Sequence, residues 1–430
     1  MENNPAATKM FLNAAQVGEL NLLKHFALVL DPLSGDGIAA VIGNTKDGGG
    51  RRAVHFAASG GSVEVLKYLI QEMGVDIEVR DGRGETPLSF AAIKGRLAAV
   101  EYLLEIGANP EMVDDFNCSP LHHASVKGHN NVIPLLLSKG INVDITNDFG
   151  SPLQYAATAG KHNTVKLLLD HGANPNLVFH DTFTPLHASI HSQSWQCVEL
   201  LLKAGADPNG APDGIKALPL AAGVTKIIKL LVDAGADPNV KNIRGLKPIE
   251  LAAVISNREG VEILFPVTSP IPSYDEWSIN GITKHVKSKK FKKKMNRKST
   301  EYFLEVKSRG TDAFQRKEYC LAVYWYSKAL SIKPGDAAVL SNRSLCYVYL
   351  NKGNLAFEDA TLCLLEKPDW PKAFFRAGVS LKLLNRLDEA AVAFSDGLKL
   401  DSENRELQDA LREVTLDRLK AISVQQGCSF

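Results

Sequence analysis

Two repeat periods divide the chain and restrict it to a modular architecture. In the C-terminal part, alanine recurs at intervals of 34 residues, at Ala322, Ala356 and Ala390. In the N-terminal part, proline recurs about every 33 residues before leucine or isoleucine, at Pro87, Pro120, Pro152, Pro185, Pro219 and Pro248. Periods of this length indicate one supersecondary unit repeated many times, each copy burying its apolar face against the next. We therefore predict an all-α fold of two helical solenoids in tandem.

Glycine follows the first four of these prolines at a constant distance of 20 residues, at Gly107, Gly140, Gly172 and Gly205. Proline suits the first turn of a helix, and glycine suits the position just after a helix ends. Between them the chain carries steps such as Thr184-Pro185-Leu186-His187-Ala188, then paired leucines, then Gly-Ala-Asn-Pro or Gly-Ala-Asp-Pro. This pattern resembles the ankyrin repeat. The resemblance implies an ankyrin solenoid over residues 1–265, with an N-terminal cap from Phe11 to Leu30.

Two segments depart from the regular repeat. Only 16 residues separate Pro219 from Gly235, so this unit has lost about one helical turn. Loss of a whole turn keeps the apolar face in register, and we expect the unit still to stack on its neighbours. The second departure is the glycine-rich stretch from Asp31 to Gly50, which we predict to be an irregular loop between the cap and the first full repeat.

Three histidines, His55, His122 and His187, occupy one column of the repeat, and the same column holds Ser89, Gln154 and Glu250. Stacked repeats spread such a column along a line, whereas metal ligands must converge on one point. We therefore predict that these side chains bond the neighbouring hairpin. The six cysteines form no CxxC pair and are interpreted as buried or incidental thiols. The sequence predicts no metal, no cofactor and no enzymatic activity.

The 34-residue repeat of the C-terminal part predicts pairs of helices. Pro334 and Pro368 close the first two units, and Tyr326, Ala329 and Phe394 are predicted to fill the apolar seam between paired helices. The pattern resembles the tetratricopeptide repeat. Within that family it is similar to the three-repeat class with a carboxylate clamp. The resemblance covers residues 301–430, including a C-terminal capping helix, and is carried by the segments 307–310, 341–344 and 369–376.

In clamp domains of that family, the matching residues bind the C-terminal Glu-Glu-Val-Asp tail of seventy- and ninety-kilodalton heat-shock chaperones. Here the matching positions are Lys307, Asn342, Lys372 and Arg376, while a fifth position that the family fills with asparagine is Thr311. The residues themselves agree with a carboxylate site. Lys307 and Thr311 are four apart on one helix, as are Lys372 and Arg376 on another, and residues at that spacing share a helix face.

The segment 266–300 is predicted to be a linker. Its first part contains Pro266, Pro270 and Pro272, cannot continue a helix and is expected to be extended. Its second part, Lys284 to Lys298, carries nine Lys or Arg in fifteen residues and no acid. Two interpretations stay open for this basic segment: a nuclear-import or nucleic-acid patch, or a solvated linker that leads into the first tetratricopeptide helix.

The ankyrin partner cannot be identified from the repeat framework. The steps Asp115-Phe116 and Asp148-Phe149 place aromatic residues near two successive hairpin tips, where they are either partner contacts or buried under the adjacent hairpin. The net charge of +1 favours neither nucleic acid nor membrane as a partner. No apolar run reaches spanning length, and Met1 to Met10 lacks the apolar core of a signal peptide. We expect a cytoplasmic protein that also enters the nucleus if the basic segment is a signal.

Together these features predict a non-enzymatic, co-chaperone-like adaptor. In this interpretation the C-terminal groove binds a chaperone tail, and the ankyrin surface binds a second protein. The alternative is a nuclear or cytoplasmic scaffold, targeted by the basic linker, whose tetratricopeptide groove binds a different ligand.

Overall fold

The computed structural model describes residues 5–34, 37–147, 149–179, 183–210, 216–242 and 244–425, with the side chains of 32–34 and 420–425 left out. Within these ranges the secondary structure is helical, and β-pairing is confined to isolated bridges. The all-α prediction is confirmed. The chain forms two compact units, Met1–Val286 and Lys287–Phe430.

Eighteen helices are described from the N-terminus to the end of the first unit, most of them short and paired. Their bounds are α1 Pro5–Val17, α2 Leu20–Ser34, α3 Ile38–Asn44, α4 Ala53–Gly60, α5 Val63–Lys67 with a π-helical turn Tyr68–Glu72, α6 Pro87–Lys94, α7 Leu97–Glu105, α8 Pro120–Lys127, α9 Ile133–Leu137, α10 Pro152–Thr158, α11 His162–Asp170, α12 Pro185–His191, α13 Trp195–Lys203, α14 Ala217–Leu220 with a 3₁₀ turn Ala221–Gly223, α15 Thr225–Asp233, α16 Pro248–Val254, α17 Arg258–Leu264 and α18 Ile279–Lys287.

The recurring proline sets the start of the first helix in most repeats. Helices α6, α8, α10, α12 and α16 each begin at it. The residue before the proline caps the helix in several units: the Thr86 and Thr184 hydroxyls accept hydrogen bonds from the third backbone amide of their helices at 3.3 and 3.4 Å. A hydroxyl cap of this kind stabilises a helix by about 1 kcal/mol. The predicted helix starts are therefore confirmed by the local chemistry that motivated them.

The shortened repeat has lost its turn from the first helix. Helix α14 spans four residues and continues as a 3₁₀ turn, whereas the corresponding helix α12 spans seven. Its apolar side chains remain buried, with Leu218 1% exposed, and Ile227 and Leu231 of α15 are inaccessible to solvent. The unit therefore still stacks, as the deletion of a whole turn predicts.

The prediction of an irregular loop from Asp31 to Gly50 is wrong. Helix α2 continues into this stretch, and α3 occupies seven residues of it. Val41 and Ile42 are buried, so α3 has an apolar face that can pack even though glycines flank it. The glycine content concealed this short amphipathic segment.

The three prolines end the helical pattern as predicted, since no helix lies between α17 and α18. The chain does not extend there, however. Tyr274 is buried, and its hydroxyl donates a hydrogen bond of 2.9 Å to Glu250 of α16. Trp277 stacks on Phe265 with ring centroids 5.7 Å apart. The predicted linker is thus divided: its first part packs on the last ankyrin helices, and its basic part continues into the second unit.

The second unit consists of paired long helices followed by a final helix. Their bounds are α19 Lys289–Gln315, α20 Tyr319–Ile332, α21 Ala337–Tyr349, α22 Gly353–Glu366, α23 Pro371–Leu383, α24 Leu387–Leu400 and α25 Arg405–Gln425. The repeating alanines Ala322, Ala356 and Ala390 are completely buried. The predicted seam is also confirmed, because Tyr326, Ala329 and Phe394 are each at most 1% exposed.

Glycine allows paired helices to approach closely in this unit. A Cβ at Gly310 of α19 would lie 2.7 Å from the Tyr326 ring of α20, and one at Gly378 of α23 would overlap the Phe394 ring of α24. Both contacts are closer than carbon atoms tolerate, so the aromatic ring occupies the space that a side chain would need. Helices α19 and α23, which carry four of the five predicted clamp residues, are thereby packed closely against their partner helices.

Candidate functional site

The hydroxyl of Tyr326 joins two of the predicted clamp residues. Asn342 Nδ2 of α21 donates to this hydroxyl at 3.4 Å, and Thr311 Oγ1 of α19 lies 3.3 Å from it. The Thr311 hydroxyl also donates to the Lys307 carbonyl at 3.1 Å. Burial raises the pKa of Tyr326, so its hydroxyl stays protonated. Thr311 and Asn342, from two successive repeats, therefore lie on one hydrogen-bonded network.

Arg376 connects the third repeat to the second. Its Nε donates to the backbone carbonyl of Ser341 at 3.2 Å, and Ser341 directly precedes Asn342 on α21. Only 8% of Arg376 is exposed. Nε is engaged with a carbonyl, and the terminal nitrogens make no hydrogen bond to any residue within the described ranges. A planar guanidinium held in this way can donate to an incoming carboxylate.

Lys372 and Arg376 form a pair of cations that no described acid neutralises by direct contact. They lie four residues apart on α23, and the ion pairs of the described residues include neither. Burial and then repulsion from Arg376 lower the pKa of Lys372, while Glu406 on α25 opposes the shift. Burial likewise lowers the pKa of Arg376, again with Glu406 opposing. Uncompensated positive charge in a partly buried place favours the binding of an anion.

Lys307 has an internal partner that the sequence did not reveal. Its ammonium lies 3.3 Å from Asp336, the residue that precedes α21. Asp336 also pairs with Lys333 at 3.1 Å and accepts the backbone amide of Val339, so it caps α21. Although burial opposes ionisation, Lys333, the Val339 amide and Lys307 together lower the pKa of Asp336. This carboxylate is therefore charged and competes with any ligand for Lys307.

An ion pair fixes the segment that carries Asn342. Arg343 donates two hydrogen bonds to the Asp359 carboxylate of α22, at 2.7 and 2.6 Å, and a third to Ser327 of α20 at 2.9 Å. Asp359 is 3% exposed. Because Arg343 is bound on the inner side of its helix, the adjacent Asn342 is directed toward Tyr326 rather than into this cluster. The sequence placed Arg343 in the matching motif without indicating this role.

Two histidines of the ankyrin column, His55 and His122, bond the neighbouring hairpin as predicted, while His187 contacts the Thr184 hydroxyl of its own helix cap at 2.7 Å. The Nδ1 atom of His55 accepts the Arg52 amide and its Nε2 contacts the Val79 carbonyl, both at 3.0 Å. His122 contacts the Gly150 carbonyl of the next repeat at 3.2 Å. Gln154 forms the equivalent bonds with its amide, donating to the Phe183 carbonyl at 3.0 Å. Burial lowers the pKa of His122 to about 4, so that side chain is neutral.

The hairpin-tip aromatics differ in exposure. Phe149 is 38% exposed, whereas Phe116 is partly buried. In each turn, a polar side chain accepts a hydrogen bond from the phenylalanine amide. Asp114 accepts from Phe116 at 2.8 Å, and Asn147 accepts from Phe149 at 2.8 Å. Asp148, which precedes Phe149, lies outside the described residues.

The basic segment is helical over nearly its whole length, at the end of α18 and the start of α19. Ser288 separates the two helices and caps α19, its hydroxyl accepting the Phe291 amide at 3.2 Å. Eight of the nine cations are exposed, and Phe291 is buried. The segment therefore leads into the first long helix of the second unit as a charged helix.

Family comparison agrees with the first repeat pattern. A model described as "Ankyrin repeats (3 copies)" matches overlapping segments 11–114, 54–147, 106–179, 121–211 and 176–242, which together span more than half of the chain. The chain belongs to the ankyrin-repeat family. Ankyrin repeats are in general protein-interaction modules rather than catalytic ones.

Relatives of tetratricopeptide type align with part of the chain. The "Heat shock protein sti1 homolog" of Schizosaccharomyces pombe is 36% identical over 123 residues, which is 29% of this chain and 21% of that protein. The "Hsp70-Hsp90 organising protein" of Plasmodium falciparum is 37% identical over 109 residues, 25% of this chain and 43% of that protein. "Tetratricopeptide repeat protein 28" of Homo sapiens is 32% identical over 114 residues, 26% of this chain and 5% of that protein. Each match spans less than half of the relative's length.

Among solved structures, the crystal structure of the human ASB11 ankyrin repeat domain aligns with 51% of this chain and 100% of that chain, at 28% identity and a TM-score of 0.47. Across the residues that the structure describes, no helix combines the length and the apolar character needed to cross a membrane.

Proposed function

We propose that the chain is a non-enzymatic adaptor of co-chaperone type. Its C-terminal unit binds the acidic C-terminal tail of a seventy- or ninety-kilodalton heat-shock chaperone, and its ankyrin unit binds a second protein. The observation that carries the proposal is the pair Lys372 and Arg376, two cations that contact no acid among the described residues. Arg376 is joined through Ser341 to the helix of Asn342. We place this activity in the cytoplasm, and also in the nucleus if the basic segment acts as a signal.

A peptide that ends in aspartate suits this arrangement, because it presents a terminal carboxylate and a side-chain carboxylate close together. Lys372 and Arg376 supply charged donors, Asn342 supplies an amide donor, and Lys307 supplies a further cation when it leaves Asp336. Hydrogen bonds to charged groups contribute about 1.5 to 3 kcal/mol each when shielded and less in an open groove. A total of roughly 8 kcal/mol corresponds to micromolar binding.

The relatives support this choice of partner. Two of them carry names that refer to Hsp70 and Hsp90 organisation or to heat shock, and the identity of 36 to 37% extends over about the length of a three-repeat unit. The third is named only for its repeat and does not specify a ligand. The charge arrangement therefore carries the proposal, and the names of these relatives support a chaperone tail as the ligand.

The test is a titration of the full chain and its variants with a free-acid peptide ending in Glu-Glu-Val-Asp. Lys372→Ala removes an exposed cation, and we expect affinity to fall about tenfold, or roughly 1.4 kcal/mol. Lys399→Ala is the matched control, because this lysine pairs with Asp396 on α24 and carries no predicted role. Equal affinity for both variants and the parent would overturn the proposed site.

The second candidate is a scaffold targeted by the basic segment, favoured by the exposure of eight of its nine cations. Replacing Lys292, Lys293 and Lys294 by glutamine removes charge and keeps residues that suit a helix. If the segment is a nuclear signal, the variant redistributes in cells. The adaptor proposal predicts that tail binding survives this substitution, whereas its loss would show that the basic helix itself forms part of the binding site.

A further inference from the structure

Three potential metal ligands converge in the ankyrin unit. Asp114 and Cys118 lie in the turn before α8, and His123 lies in its first turn. The carboxylate, the thiol and the imidazole each place a ligand atom within 4.8 Å of the other two. Asp114 and Cys118 are buried, and the His123 side chain is 16% exposed. The sequence separates these residues by four and five positions, a spacing that matches no common metal motif.

The carboxylate is fixed in place by its turn. Asp114 Oδ1 accepts the backbone amides of Phe116 and Cys118 at 2.8 and 2.9 Å. Its Oδ2 lies 3.1 Å from Nε2 of His123. Oδ1 is therefore occupied by the turn amides, whereas Oδ2 faces the imidazole.

Polar groups surround the cluster and orient its sulfur. Asn147 Nδ2 donates to Cys118 Sγ at 3.0 Å, and the Tyr155 hydroxyl lies 3.3 Å from the same sulfur. Glu85, from the preceding repeat, interacts electrostatically with His123 and with Asp114. Donors that contact a thiolate and a nearby negative charge are what metal sites use to hold their ligands and attract the cation.

The ankyrin framework does not require this combination of residues. At the equivalent positions, the preceding unit has Asp81, Glu85 and Phe90, and the following unit has Asn147, Gly150 and Tyr155. Asp81 and Asn147 accept turn amides as Asp114 does, so the turn of the repeat accounts for the carboxylate. Neither neighbouring unit has a cysteine or a histidine at the other two positions, and both fold and stack without them. Cys118 and His123 therefore need a reason other than the stability of the repeat.

We propose that Asp114, Cys118 and His123 bind a zinc ion or a chemically similar divalent transition-metal ion. Zinc binds thiolate sulfur at about 2.3 Å and imidazole nitrogen at about 2.0 Å, so its ligand atoms lie roughly 3.5 Å apart. No two ligand atoms here are more than 4.8 Å apart, so a pair needs to contract by at most about 1.3 Å. Sulfur and nitrogen donors select such an ion over magnesium or calcium.

Binding forms a metal–sulfur bond and releases the thiol proton to solvent. It also replaces the hydrogen bond between Asp114 and His123 with two metal contacts, and the imidazole takes the tautomer with its proton on Nδ1, which leaves the Nε2 lone pair for the ion. A fourth ligand position faces the partly exposed side of His123, where a water molecule or a carboxylate completes the tetrahedron.

Cobalt(II) tests the site directly, because it takes tetrahedral zinc positions and reports its ligands by colour. We expect titration of the chelator-treated full chain to give intense visible d–d bands and a near-ultraviolet sulfur-to-metal band, both removed by equimolar zinc. Cys118→Ser should abolish the sulfur band. Cys320→Ser, which alters a thiol in the second unit, should leave both bands unchanged.

His123→Gln keeps a polar, partly exposed side chain and should weaken cobalt binding more than tenfold, while circular dichroism without metal stays that of the parent. Absence of the sulfur band in the parent chain, or its persistence in Cys118→Ser, would overturn the proposal. The cluster would then be a hydrogen-bonded turn only. The proposal is independent of tail binding, because all three ligands lie in the first unit.

Discussion

At the scale of single residues, the most informative position is Thr311, which stands where the family has asparagine. The Thr311 hydroxyl already bonds the Lys307 carbonyl and lies against Tyr326, so it has little capacity left for a ligand. An asparagine there extends farther from the helix and offers an amide donor. We expect Thr311→Asn to strengthen tail binding by up to about fivefold, or 1 kcal/mol, measured by calorimetry. Unchanged binding would mean that the side chain at position 311 does not contact a carboxylate of the peptide.

The second prediction for a single residue concerns Asp336, which competes with the peptide for Lys307. Asp336→Asn keeps a side chain that caps α21, since asparagine caps as well as aspartate, but removes the negative charge beside Lys307. The lost pair is partly exposed, so it contributes at most about 1 kcal/mol. We expect a gain of severalfold in tail affinity. Asp396→Asn on α24 is the control. An equal gain in tail affinity for this variant would show that the effect comes from the change in net charge alone.

The third concerns pH. Burial lowers the pKa of His55 below its ordinary value of 6.5, so below that pH the unfolded chain takes up a proton that the folded chain resists. The stabilisation is complete above about pH 6.5 and is lost as pH falls below it. His55→Gln should flatten the slope of unfolding free energy between about pH 7 and pH 5, because Gln154 shows that an amide makes the same bonds. An unchanged slope would contradict this, and the exposed His162→Gln serves as control.

The helices that carry the predicted clamp residues could be predicted because the repeat period aligns these positions, but the partners of their side chains could not. Asp336 and Tyr326 come from a capping position and from the apolar seam, and no local pattern marks either as a neighbour of Lys307 or Asn342. The Asp114–Cys118–His123 cluster escaped prediction for a related reason. Its ligands depend on the curvature of a turn, which brings together residues with no recognised spacing.

At the scale of helices, buried charge fixes the middle repeat. Asp359→Ala leaves the Arg343 guanidinium half-buried without its partner, and the cost of breaking such a pair is about 3 to 5 kcal/mol. Arg386 and Glu389 form a similar two-bond pair on the surface of α24. Glu389→Ala should therefore change stability little. Urea unfolding of both variants checks the contrast, and equal losses would contradict it.

The boundaries of helices followed the sequence where proline or a capping hydroxyl determines them, as at α6 and α12. They were missed where a short apolar face decides, as in α3. The hydrogen bond from Tyr274 to Glu250 was not predicted either, because the sequence of a proline-rich segment does not indicate which buried acceptor its side chains will contact. Local chemistry predicts where helices start, whereas long-range contacts settle what irregular segments do.

At the scale of the whole molecule, the chain combines two helical solenoids, for which we propose different binding partners. The ankyrin unit presents hairpin tips and helix surfaces, and Phe149 is an exposed aromatic residue among them. In the second unit, Lys372 and Arg376 of α23 carry positive charge that no described acid contacts. An adaptor needs two surfaces of unlike chemistry, and the two repeat periods provide them within one polypeptide.

The central claim is that the second unit recognises a terminal carboxylate. The most direct measurement is calorimetric titration of the full chain with two peptides ending in Glu-Glu-Val-Asp, one a free acid and the other a C-terminal amide. We expect the free-acid peptide to bind with micromolar affinity that weakens with added salt. We expect the amide peptide to bind at least about tenfold more weakly, because it lacks one charged acceptor. Equal affinities for the two peptides, or no binding of either, would contradict it.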